Sequence, residues 1–402
     1  MALLRVHSLV CIFATWFISL VSSACECGYS VNSTLDPEYA VFTDLLESDF
    51  TKIKNFKDDF DWRPQVWQLD PVAALGPYGR ATVLEAIVPN PAVNVSINAT
   101  GIYGGQAGLN LLVPHNYTLI NGEKYLMGAE LDSTRNDMFY GTFRIGYRTT
   151  KYPGTCFGFY WYHDDNQEID IELLSRQINA TDTLINLVLH TPVGGTNLDA
   201  LPGTYQVADL PYNTSAQIHE LRFDWTPSAI TWYQDGRQIW TISNTTLFPQ
   251  QPGHIVVTHW SNGNPLWSAG PPEGNAALVL TYVKAYFNSS DSQRQKDHRE
   301  RCEAVGGGGA VCQIPSPVGP PRYEGVSPDE LPYFFSNDPA RNATYNQTVY
   351  EEKTSGGGKR RSEAIGSGLA VWMLFLQWGI PVLGFMLGEW RPRIGGYMHS
   401  LY

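Results

Sequence analysis

From about residue 35 to residue 288 the chain runs in short segments where apolar and polar residues alternate. That period of two belongs to strands with one buried face. Segments of this kind are Tyr140–Arg148, Phe157–His163, Glu168–Leu174, Thr183–Thr191, His219–Trp225, Ile230–Gln234, Gln238–Ser243, His254–Trp260 and Ala277–Phe287, all rich in β-branched and aromatic residues. Turn signals such as Asp235-Gly236 separate them. Long helical periodicity is nearly absent. Many short strands without a strand–helix rhythm predict an all-β domain of two packed antiparallel sheets, a sandwich or jelly roll. A span of this length buries one sizeable core.

Two uninterrupted apolar runs break the pattern. Leu9 to Val21 follows Arg5 and His7 and precedes the small residues Ser22-Ser23-Ala24, so 1–24 is predicted to be a cleaved signal peptide. Leu369 to Gly388 carries no charge, and about 20 such residues cross a hydrocarbon core, so 369–388 is predicted to be a transmembrane segment. A glycolipid anchor is the competing reading of that end. The charged tail that follows at 389–402, beginning Glu389-Trp390-Arg391-Pro392-Arg393, favours the span. Between the strands and this run the composition changes. Ser290–Arg301 is charged and predicts one short helix. Gly306–Gly309, a Pro-rich stretch from Pro315 to Pro321 and Gly356–Gly358 make 303–368 read as an extended, flexible stalk.

Composition then narrows the setting. A net charge of −12 gives no phosphate-binding face, so nucleic acid is not an expected partner. Ten Asn-x-Ser/Thr sites, at Asn32, Asn94, Asn98, Asn116, Asn179, Asn213, Asn244, Asn288, Asn342 and Asn346, lie between the two apolar runs, where glycosylation can reach them. Five cysteines remain once Cys11 leaves with the signal peptide. Cys302 and Cys312 flank a Gly-rich loop and are read as a disulfide; Cys25 or Cys27 reaches Cys156 in the same reading, with one thiol left over. No Cys/His spacing suggests zinc.

The segment Glu168-Ile169-Asp170-Ile171-Glu172-Leu173 carries the chemistry. Alternation sends the three carboxylates to one face of a strand and the apolar residues to the other. Stacked acids repel one another, so a purely structural strand avoids them. Glycoside cleavage with retention needs two carboxyls about 5–5.5 Å apart. Cα atoms four residues apart on a flat strand are roughly 13 Å apart, so the side chains must lean together. The middle Asp170 shares a proton with a neighbour and keeps one Glu protonated near working pH. Nearby aromatics, Phe159 to Tyr162 with Trp161 among them, and Trp260 and Trp267, suit stacking on sugar rings. Asn186 and His190 share one face of their strand and are candidates for substrate hydroxyls.

From Phe139-Tyr140-Gly141-Thr142-Phe143-Arg144 through Tyr162-His163-Asp164-Asp165-Asn166-Gln167 into the acids, the chain resembles family 16 glycoside hydrolases, especially secreted fungal members. Phe223-Asp224-Trp225-Thr226-Pro227, Ile230–Gly236, Trp260-Ser261-Asn262-Gly263 and Trp267-Ser268-Ala269-Gly270-Pro271-Pro272 extend the likeness over roughly 35–288. The resemblance implies a concanavalin A-like β-jelly roll over 25–288, with Glu168 as nucleophile, Asp170 as electrostatic helper and Glu172 as acid/base. It implies a retaining endo-β-glycosidase that hydrolyses or transglycosylates cell-wall β-glucans, β-1,3 or mixed β-1,3/1,4. No cofactor is required; a structural calcium ion accompanies many family members, although no oxygen-ligand loop is recognisable here. The unbulged spacing of the acids departs from the form common among laminarinases and argues against a simple β-1,3-glucanase. The rival class is a catalytically silent, membrane-tethered wall-polysaccharide-binding protein, lectin-like in fold; it would need the aromatics but not all three acids.

Overall fold

The alternating segments pair antiparallel within two sheets whose apolar faces meet, while the short strand Gly79–Thr82 joins Glu123–Ser133 in parallel. The computed structural model describes residues 25–56, 59–93, 99–193, 201–306, 310–316, 319–321 and 333–337. The predicted signal peptide, the predicted span at 369–388 and its tail lie outside the described residues, as do Asn94, Asn98, Asn342 and Asn346. No helix among the described residues is long and apolar enough to cross a membrane.

The first sheet orders its main strands as Tyr205–Leu210, Thr183–His190, Gln167–Leu174, Cys156–Asp164, His254–Trp260, Glu123–Ser133, Gly79–Thr82 and Trp67–Leu69. The second runs Arg237–Ile242, Ile230–Gln234, His219–Trp225, Met138–Arg148, Ala276–Ser289, Gly108–Val113 and Ile87–Asn90. Non-sequential neighbours in both sheets give the jelly-roll sandwich expected from the pattern. Asp235 and Gly236 both have positive φ, 49° and 75°, which lets a two-residue turn join the neighbouring strands with the right twist.

Between the sheets lies one core. Ile169, Ile171 and Leu173 contribute from the first sheet; Phe143, Ile145, Phe223 and Trp225 face them from the second. Phe143 and Phe223 stack with ring centroids 5.0 Å apart. Truncating any of these aromatics to Ala would cost about 3–5 kcal/mol through lost burial and the cavity left behind. Trp161, grouped with the sugar-binding aromatics from sequence, belongs to this core. It pairs in register with Ile169, not with an acid, is 0% exposed, and packs edge-on against Trp225 at 4.8 Å. The same alternation that turns the acids away from the core turns Trp161 inward.

Two further expectations are corrected beyond residue 288. The disulfides join Cys25 to Cys312 and Cys27 to Cys302, not Cys302 to Cys312, and Cys156 is a buried free thiol. The reason is a parallel pairing of Gly28–Ser30 with Val311–Gln313, which sets the N-terminal cysteines beside partners far along the chain. The predicted short helix is Ser292–Ala304, its first turn capped by Asp291, whose side chain accepts from the amides of Gln293 and Arg294. Two described parts of the supposed stalk are docked on the domain and do not extend into solvent. Residues 310–316 and 333–337 lie against the outer face of the second sheet, where Tyr333 and Phe335 join Tyr29, Phe42 and Tyr286 in a second apolar cluster.

That outer face explains why the segment docks. Arg144, Glu220, Arg222 and Lys284 alternate outward from the core, yet all are buried. Arg144 donates to the carbonyl of Pro315 at 2.6 Å and to Ser316 Oγ at 3.1 Å. Lys284 donates to the Tyr333 carbonyl. Glu47 accepts from Tyr286 Oη at 2.7 Å and from the amides of Phe335 and Ser336 at 3.1 and 3.0 Å. Buried charge is tolerated because each of these groups is partnered.

Candidate active site

On the strand Gln167–Leu174 the register with both neighbours continues without a shift from Glu168 to Glu172, so the acids sit on one unbulged face. Tyr162, Tyr160 and Gly158 oppose Glu168, Asp170 and Glu172 on one side; His190, Val188 and Asn186 oppose them on the other. The hairpin that fixes this register is held at its turn, where the Asn166 amide donates to Asp164 Oδ1 at 2.9 Å and Tyr162 Oη to Asp165 Oδ1 at 2.8 Å.

Although this face points away from the core, Glu168 and Asp170 are only 2% and 5% exposed. Oε2 of Glu168 and Oδ1 of Asp170 are buried with no hydrogen-bond partner outside the pair of acids. A native fold rarely leaves such oxygens unpaired, because each costs on the order of 1–3 kcal/mol. His190 Nε2 lies 3.3 Å from Asp170 Oδ2.

The electrostatics follow from this placement. Burial first, then the charge of Asp170 and more weakly Glu172, pushes Glu168 well above the usual carboxylate range, with His190 opposing. Burial and Glu172 raise Asp170 in the same direction, while its hydrogen bond with Glu168 opposes the rise. Coupled so closely, the two retain a proton as a pair. Glu172 is pushed up to about 7, chiefly by burial; Cys156, Arg80, His190 and Trp267 pull it back toward the ionised form. A carboxyl that gains and loses its proton near neutrality suits general acid/base work.

Around the acids the remaining candidates divide. Asn186 is fully committed inside the protein: its amide donates to the Glu172 carbonyl at 3.2 Å and to Gln177 Oε1 at 3.1 Å, and its oxygen accepts from Tyr205 Oη at 3.1 Å. It braces the acid strand. His190 belongs to the acid group itself. Trp260 and Trp267 pack with Cys156 and Leu174 beside Glu172. One face of Trp260 is covered by the Arg80 guanidinium, 3.8 Å from the ring centroid.

Several groups here were not singled out from sequence. Trp67 donates its indole N–H to Glu130 Oε1 at 3.1 Å, and Arg80 also lies over the Trp67 ring at 5.2 Å. Asp132 lies 3.6 Å from His254. Cys156 Sγ lies 3.4 Å from Glu172 Oε1. The register shift at Tyr162–Asp164 puts Cys156 on the face of Glu172, whereas a plain hairpin counted back from Asp165-Asn166 would have set it opposite Ser175. No local signal brings Trp67 or Arg80 from so far along the chain.

The ligand atoms of Glu168, Asp170 and His190 lie within 4.8 Å of one another. Two carboxylates and one imidazole suit a divalent transition metal better than calcium, which takes six to eight oxygens. Two recesses elsewhere, about 470 Å³ around Asn90 and Arg148 and about 450 Å³ around Tyr212 and His219, include none of the acids.

Residues 98–276 match the model for glycosyl hydrolases family 16. A xylanase/beta-glucanase of Ruminococcus flavefaciens is 32% identical over 132 residues, 32% of this chain and 15% of that protein. Crh-like protein 3 of Botryotinia fuckeliana is 27% identical over 241 residues, 52% of each chain. The chain thus spans about half or less of the length of these relatives. Among solved structures, a Crh5 transglycosylase bound to NAG overlays with a TM-score of 0.40 at 16% identity, covering 62% of this chain and 85% of that one.

Proposed function

We propose, on the premise that residues 98–276 form a family 16 glycoside hydrolase domain, that this protein is a retaining endo-β-glycosidase acting on cell-wall β-glucans by double displacement. The observation that carries the reading is the acid strand itself. Three carboxylates share one unbulged face, two of them hold buried oxygens without partners outside the pair, and the third exchanges its proton near neutrality. The glucan substrate is supported by the family match and by relatives named as β-glucanases.

Each acid then has a role. Once the proton shared by the pair has passed to Asp170, Glu168 is the carboxylate that attacks the anomeric carbon. Glu172 donates its proton to the glycosidic oxygen as the C–O bond breaks, leaving a glycosyl-enzyme on Glu168. As the base, Glu172 next takes a proton from the acceptor, whose oxygen displaces Glu168. Water as acceptor gives hydrolysis; a sugar hydroxyl gives transglycosylation. Tyr160, opposite Asp170, has its hydroxyl pushed well above its ordinary range by burial and then by the charges of Glu130, Glu168, Asp132 and Asp170, so it stays a neutral O–H beside the acids.

The two disulfides and the Asn-x-Ser/Thr sites support passage through the secretory pathway to the cell surface. Membrane attachment through 369–388 is part of the same proposal.

A mechanism-based 2-fluoro-glucoside tests the site directly. Wild type should become covalently labelled at Glu168, located by peptide mass spectrometry, and Glu168→Gln should not label. Labelling of another residue, or retained labelling in the variant, would overturn the assignment.

A further inference from the structure

Of the five cysteines described, four are consumed by the two disulfides. The fifth, Cys156, is fully buried at the start of the strand that pairs with the acid strand, enclosed by Leu174, Trp260 and Trp267. Its sulfur lies 3.4 Å from Oε1 of Glu172, within the longer range of sulfur hydrogen bonds. The double-displacement reading above does not use it.

We infer that Cys156 is a positioning residue for the acid/base carboxyl: its S–H donates to Oε1 of Glu172, which leaves Oε2 to carry the proton to and from the glycosidic oxygen. This inference rests on the reading of Glu172 as the acid/base.

The chemistry needs a donor that keeps its proton in both halves of the reaction. Burial first, then the charge of Glu172, raises the thiol well above its ordinary range, so it remains S–H at any working pH. Oε1 accepts from that S–H whether Glu172 is a carboxylate or, protonated on Oε2, presents Oε1 as a carbonyl oxygen. In the first step the proton leaves Oε2 for the departing oxygen while the anomeric carbon bonds to Glu168. In the second, Oε2 recovers a proton from the acceptor. The thiol neither gains nor loses one.

The weakness of an S–H donor also fits the site. Burial raises Glu172 toward neutrality, while Arg80, held on the ring of Trp260, and His190, across the acid strand, favour its ionised form. The indole of Trp267 acts in the same direction, and Asp170 and Glu168 share the strand face with Glu172. A stronger donor at position 156 would add to the ionising side and drain the acid of its proton below neutrality. A thiol orients the carboxyl with a smaller effect on its proton affinity.

The test compares wild type, Cys156→Ala, the near-isosteric Cys156→Ser and Glu172→Gln as purified full chains. It measures kcat/KM against pH on soluble β-glucan, and the titration of Glu172 by NMR of ¹³C-carboxyl-labelled protein, its resonance assigned by its loss in Glu172→Gln. Removing the donor should raise the Glu172 pKa and move the alkaline limb of kcat/KM upward by about half a unit in Cys156→Ala. Cys156→Ser should move both downward. Thermal unfolding confirms that each variant is folded. If the Glu172 titration and the alkaline limb coincide in wild type, Cys156→Ala and Cys156→Ser, the inference is wrong while the acid/base assignment stands. If Glu172→Gln keeps the wild-type alkaline limb, the acid/base assignment fails and this inference falls with it.

Discussion

Two sheet faces of this protein hold arrays of buried charge, and they are treated in opposite ways. On the outer face of the second sheet, Arg144, Lys284 and Glu47 are each given partners by a segment from beyond residue 310. On the outer face of the first, Glu168 and Asp170 are equally buried, yet each keeps an oxygen with no partner outside the pair and is pushed strongly toward its protonated form. Burying charge is costly in both places. Where the fold meets the cost with hydrogen bonds, the array fastens one part of the chain to another. Where it leaves the cost standing, the energy is available to a ligand that arrives with the missing partners.

Substitutions on the two faces should therefore separate stability from turnover. The largest effect is expected at Glu168. Glu168→Gln should lower kcat on β-glucan by about 10⁴-fold or more, since the residue is the proposed nucleophile. Its thermal midpoint should stay at or above that of wild type, because an unpartnered buried acid is removed. A variant that loses turnover and stability together would erase the distinction between the faces.

Glu47→Ala should do the reverse. It strands the Tyr286 hydroxyl and the amides of Phe335 and Ser336, and should cost about 3 kcal/mol in denaturant unfolding. Turnover per labelled active site should be unchanged. A kcat that falls with stability unaffected would mean that the docked segment serves the reaction.

The smallest effect sharpens the comparison through pH. Glu172 has its folded-state pKa raised to about 7 from an ordinary value of 4.5, so the folded protein binds more protons than the unfolded chain between those values. The associated stability is fully present below about 4.5 and is lost as pH rises through about 7. Glu172→Gln does not titrate and escapes that loss. Its stability relative to wild type should grow from pH 4 to pH 8 by roughly 2 kcal/mol, read from thermal or denaturant midpoints. A difference independent of pH would show that Glu172 is not desolvated as the fold implies.

Much of the candidate site was legible before folding because strand alternation is a local rule. Residues two apart share a face, so Glu168, Asp170 and Glu172 had to align and Ile169 and Ile171 had to turn away. On the neighbouring strand the same rule sorts side chains into two faces without saying which is buried; the register shift at Tyr162–Asp164 sets Trp161 opposite Ile169 and turns it into the core. Cys302 and Cys312 were paired across a short Gly-rich loop because nearness in sequence stood in for nearness in space. Pairing of Gly28–Ser30 with Val311–Gln313 chose otherwise.

The sequence by itself therefore determined the all-β class, the strand that bears the acids, and the side of that strand they occupy, since each depends on residues within a few positions of one another. Tertiary structure alone decided which charges are paid in hydrogen bonds and which are left bare. It laid 310–316 and 333–337 across the second sheet, brought Arg80 onto Trp260, and set the Cys156 thiol against Glu172. Burial and the proton affinities that follow from it are properties of neighbours contributed by distant parts of the chain, and no local pattern carries them.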